Sequence, residues 1–134
     1  MKRNWNVVRK ILELVEEGKL KDYIEEKRYR DEFSINSPDD GAPNELLGHF
    51  EILVDAGILK HCEIQRDANG KFVYWDLRGI FITMQGHDLL DALRDQNVWD
   101  RIKGRAKKAG VSLSWEFIKA SIPVVIGEIV KGAS

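Results

Sequence analysis

The chain has 134 residues and a mass of 15.4 kDa, with 43% hydrophobic and 32% charged residues, which suits one soluble globule and is too apolar for a disordered chain. No apolar run reaches 18 residues, which excludes a spanning helix, and the single cysteine, Cys62, excludes an internal disulfide and a cysteine-based zinc site. The net charge of −1 conceals basic ends and an acidic middle: +3 over 1–30, −6 over 31–66, −3 over 67–100 and +5 over 101–134.

The N-terminus runs straight into a charged amphipathic pattern, so no signal peptide is expected and a cytoplasmic address follows. A helix is predicted over 4–17. Asn4 is its N-cap, Trp5, Val8, Ile11, Leu12 and Val15 form its inward stripe, and Gly18 is its stop. The charged stretch 19–30 fits either a solvated helix or an exposed loop. Phe33 and Ile35 alternate in a short strand over 32–36. The segment 37–43, with Pro38, Gly41 and Pro43, allows one helical turn at most.

The clearest helix runs over 44–56, where Leu46, Leu47, Phe50, Leu53 and Val54 recur at spacings of three and four and Gly57 closes the end. A β-hairpin follows over 58–78. Its outgoing strand runs through Ile64, Asn69-Gly70 is the favoured turn pair, and 71–77 alternates on the return. Ile80-Phe81-Ile82 is a last extended piece. Thr83 then caps a helix to about Asp95 with Leu89, Leu90 and Leu93 inward. After an interruption at Gln96-Asn97, a further helix covers 98–108 and stops at Gly110. Ser112 or Ser114 caps a final helix lasting to about Lys131, with Pro123 expected to kink it or start it afresh. This last helix is apolar around most of its circumference, so it is expected to be buried, either in the monomer or against a second copy in a twofold homodimer with 112–131 in the interface.

Helix, short strand, abbreviated turn, helix, hairpin, helix is the element order of a winged helix-turn-helix. Three blocks carry a resemblance: the opening Met1-Lys2-Arg3-Asn4-Trp5 helix, the central Gly48-His49-Phe50 through Leu59 segment, and Ile82-Thr83-Met84-Gln85-Gly86-His87 through Asp95 with Val98-Trp99. Together they resemble the bacterial and prophage domain-of-unknown-function family number twenty-five thirteen. The resemblance covers nearly all of 1–110. It implies a winged-helix domain of the broad kind seen in multidrug-resistance-type repressors, and no assigned activity. The expected fold is therefore α+β: a winged-helix domain over 1–110 with a small antiparallel sheet, and additional C-terminal helices including a packing or dimerisation element over 111–134.

In a helix-turn-helix the second helix enters the major groove. Here that helix, 44–56, has no Lys or Arg and carries Glu45, Glu51 and Asp55, which phosphates repel; Asn44 is its one candidate for pairing with adenine. The basic candidates for nucleic acid lie elsewhere: Arg66 and Lys71 on the wing, and Arg101, Lys103, Arg105, Lys107 and Lys108 within eight residues. Five phosphate contacts would give log K against log salt a slope on the order of −4 to −5. The alternative for these charges is a solvated face, or ends that pack on each other or on an acidic surface.

No phosphate-binding glycine loop, nucleophile elbow or zinc signature occurs, and no cofactor is expected. His61 and Cys62, adjacent on the expected strand, would point to opposite faces. His49 is read as a half-buried packing residue, and His87 as packing on Trp99 or bonding a backbone carbonyl. Asp88, Asp91 and Asp95 share a helix face, which makes a metal-dependent enzyme the third reading. The leading expectation is a non-catalytic phage- or prophage-type regulator that binds duplex DNA or the transcription machinery. Its rival is a protein-interaction adaptor that keeps the scaffold without reading DNA, and neither engages a membrane.

Overall fold

The computed structural model describes residues 3–23, 45–70 and 72–132. They form an α+β chain whose residues fall into two compact units, 1–87 and 88–134. The strand expected over 32–36, the turn over 37–43, Asn44 and Lys71 lie outside the described residues.

In the first unit, helix α1 spans Trp5–Glu17. The Asn4 side chain accepts from the Asn6 amide, as the cap expected from sequence. Gly18 adopts φ 70° and its amide reaches back to the Leu14 and Val15 carbonyls, a left-handed turn that a side chain would strain. Val8, Ile11, Leu12 and Leu14 are buried, whereas Val15 is only half-buried, so the inward stripe lies slightly off the one expected. Helical geometry resumes at 20–23, where Leu20 is buried. Helix α2, Glu45–Asp55, packs on α1 through a core that includes Phe50 and Leu53.

The expected hairpin is present but longer and broken. Strands β1 (Leu59–Lys60) and β2 (Glu63–Arg66) run out, and β3 (Phe72–Asp76) and β4 (Phe81–Ile82) return. β1 pairs with β4 and β2 with β3, both antiparallel, so the four strands are two nested stretches of one ribbon. The break falls where His61 takes φ 60° on the outgoing arm and a turn at 77–80, with Gly79 at φ 74°, interrupts the return. His61 is therefore not part of a continuous strand, and strand alternation does not govern how it is placed against Cys62. At the tip, Ala68 and Asn69 are the central turn residues and Gly70 follows at φ 80°, its amide bonded to the Asp67 carbonyl. The glycine thus closes the turn instead of sharing its centre with Asn69.

Helix α3, Met84–Arg94, starts at a tight joint with the end of α2. The Thr83 hydroxyl donates to the Gly57 carbonyl at 2.7 Å and accepts from the Gly86 amide at 3.1 Å, while the Thr83 amide bonds the Ile58 carbonyl. A Cβ on Gly86 would stand 2.5 Å from both the Ile58 carbonyl oxygen and the Ile82 side chain, so only glycine fits. Leu89, Leu90 and Leu93 are buried, as their spacing predicts.

In the second unit, α3 gives way at Asp95 to helix α4, Gln96–Ala109. The Asp95 carboxylate accepts from the Asn97 and Val98 amides, so the helix begins two residues earlier than the sequence pattern suggests. Helix α5, Trp115–Gly132, is capped by the Ser114 hydroxyl, which accepts from the Phe117 amide. α5 continues through Pro123 as one helix, short of the amide bond that proline cannot make. It packs on α4 along Ile118, Ser121, Ile122 and Val125, against the α4 face that buries Val98, Ile102 and Ala106. Within the single chain the burial is one-sided: Val124, Ile126 and Val130 are 43%, 47% and 65% exposed. Among the described residues no helix is long and apolar enough to cross a membrane.

Candidate nucleic-acid interface

Helix α2 holds the segment that the sequence pattern leads one to expect in a major groove. Gly48, His49, Phe50 and Leu53 turn into the core, leaving Glu51 half-buried and Asp55 exposed on the outer side. His49 is fully buried, not half-buried, and its Nε2 accepts from the Asn4 backbone amide at 2.8 Å. Nε2 therefore presents a lone pair, and the ring ties α2 to the first turn of α1.

Arg66 leaves the ribbon and folds over α2. Its Nε donates to Glu51 Oε2 at 2.8 Å, its Nη2 to Glu51 Oε1, and its Nη1 to the Gly70 carbonyl at 2.8 Å. The bond to Glu51 raises the Arg66 pKa further and fixes the guanidinium on a carboxylate. One predicted phosphate ligand is thus engaged with the helix that should have entered the groove. The sequence separation of fifteen residues hides this pair from any local pattern.

A basic residue overlooked in the sequence, Arg78, stands at the ribbon's break. Its guanidinium donates to both Asp76 carboxylate oxygens and its amide to Oδ1, which holds the Asp76 carboxyl at about 2. Its only sequence signal is the Asp-x-Arg spacing ahead of Gly79. Nearby, burial and the Asp76 charge push the Cys62 thiol up to about 11, so it stays protonated and a poor nucleophile. The His61 ring tilts over Phe81 at 5.2 Å, and His87 Nδ1 lies 4.0 Å from Glu16.

The five basic residues of 101–108 are all exposed on α4, yet they do not form one patch. At 3.6 residues per turn, Arg101, Arg105 and Lys108 line one flank and Lys103 and Lys107 the other, roughly half a turn away. Arg105 is 3.4 Å and Arg101 4.0 Å from Glu128 on α5, and Lys103 is 3.5 Å from Asp100. No ion pair engages Lys107 or Lys108 among the described residues. Asp95 of the acidic row serves as a cap and Asp91 lies 3.3 Å from Arg94. Among the described residues, no group of three such side chains is arranged to hold a metal ion.

A family model described as a hypothetical protein, DUF2513, matches residues 2–112. An uncharacterized protein of Haemophilus influenzae is 28% identical over 131 residues, covering 96% of this chain and 98% of that protein. No solved structure matches the chain.

Proposed function

We propose that this chain, which belongs to the DUF2513 family, is a non-catalytic winged-helix regulator that acts through a protein partner and does not read base pairs. The passage from α2 into an antiparallel ribbon with an exposed tip, and back into the capped helix α3, supports the winged-helix reading. The absence of catalysis is inferred from the tasks that chemistry-bearing side chains already perform: His49 holds α1, Asp95 caps α4, and Cys62 is kept protonated.

The observation that carries the choice of partner is the Arg66–Glu51 pair. The helix that would face DNA offers carboxylates, and the wing arginine that would offset them is bonded to one of them. An acidic surface of this kind complements a basic protein surface. Duplex DNA gripped through its phosphates alone is the second reading, favoured by the exposed Lys107 and Lys108. Fluorescence anisotropy with a random duplex across a salt series separates the two. Weak binding with a shallow salt dependence is expected. A slope on the order of −4 to −5 in log K against log salt overturns the protein-partner reading in favour of DNA.

A further inference from the structure

The outer face of α5 is exposed and apolar in a way its packing on α4 leaves unexplained. Ala120, Pro123, Val124, Ile126, Gly127 and Val130 are all exposed, although α4 and α5 already bury the opposite stripe through Ile118 and Val125. A lone exposed valine is ordinary, whereas six contiguous non-polar positions on one helix face mark an interaction surface.

We infer that this face is the contact between two copies of the chain, with α5 lying antiparallel to its twofold mate. The charges flanking the apolar stretch select both the partner and its direction. Exposed Glu116 lies at one end of the face and exposed Lys131 at the other, fifteen residues apart or roughly 22 Å along the helix. A twofold axis between Pro123 and Val124 sets each residue against the one equally far beyond it. Pro123 and Val124 then meet at the axis, and Ala120 opposes Gly127 three and a half residues to either side, where small side chains let the helix axes approach closely. Glu116 opposes Lys131 of the second copy, twice by symmetry. A parallel pairing would instead set Glu116 on Glu116 and Lys131 on Lys131. The surface is thus complementary to itself in one orientation only. Glu116 has a competing neighbour in Lys119 at 3.9 Å, a pair exposed enough to exchange without cost to the fold.

Light scattering coupled to size exclusion, over a wide concentration range, measures the result on the full chain. A mass of twice 15.4 kDa is expected. Gly127→Arg, on an exposed position with open space beside it, should give monomer with unchanged helix content by circular dichroism. Lys131→Glu should raise the dimer dissociation constant roughly tenfold, and adding Glu116→Lys to it should restore dimerisation. A monomer at every concentration overturns the inference. So does a dimer indifferent to Gly127→Arg, which would place the contact elsewhere, or a double charge swap that fails to recover what the single one lost.

Discussion

Arg66 on the ribbon and Glu51 on helix α2, fifteen residues apart, are joined by two parallel hydrogen bonds from one guanidinium to one carboxylate. The pair fastens the ribbon's tip to the helix it follows. It lies partly in solvent, at 31% and 36% side-chain exposure, so its contribution is modest and screened. A double-mutant cycle of Arg66→Ala and Glu51→Ala, read by urea unfolding, should give a coupling of about 0.2–1 kcal/mol that shrinks at high salt. Additive losses would show that the two side chains act independently.

Gly86→Ala should be among the most damaging single-methyl changes in the first unit. Alanine is the better helix former by about 1 kcal/mol, but its Cβ would meet the Ile58 carbonyl oxygen and the Ile82 side chain at 2.5 Å. Sterics outweigh propensity, and a loss on the order of 1–3 kcal/mol is expected from urea unfolding. Thr83→Val, which keeps the shape and removes the hydroxyl that bridges Gly57 and Gly86, should cost about 1 kcal/mol. A Gly86→Ala protein as stable as the parent would contradict the packing described.

Asp76 gives stability a defined acid limb. Its carboxyl is lowered from 3.8 to about 2 by the hydrogen bonds from Arg78, so the folded state favours the ionised form. The stabilisation is present in full above the unfolded value and is lost as pH falls from about 4 through 2. Thermal melts over that window should fall less steeply for Asp76→Asn than for the parent. Parallel curves would remove Asp76 from the acid response.

Cys62 should resist alkylation in the folded protein. Raising its pKa from 9.0 to about 11 cuts the thiolate present at pH 8 on the order of 100-fold. Iodoacetamide should therefore modify the native chain about that much more slowly than the chain in denaturant, as followed by mass spectrometry. Equal rates would show that the thiol is neither buried nor charge-suppressed.

The elements legible in the sequence are those whose signals are local. Asn4, Gly18, Thr83 and Gly110 act within a turn of themselves, and each helix end they mark falls where expected. The broken ribbon was not legible, because nothing in Lys60-His61-Cys62 announces a non-glycine residue at φ 60°. The five basic residues of 101–108 read as one cluster when counted along the chain. Helical spacing, available in the same sequence, divides them between two flanks. His49 and Arg66 lay beyond local reasoning altogether, since their partners, Asn4 and Glu51, are set by how the elements meet.

Asp95 ends one helix with its amide on the Asp91 carbonyl and begins the next with its carboxylate on two amides. A junction one residue long leaves the backbone no slack. Inserting or deleting a single amino acid there would rotate α4, together with the α5 packed on it, by about 100° relative to α3. Length variation among relatives should therefore gather in the 111–114 connection and stay out of this elbow.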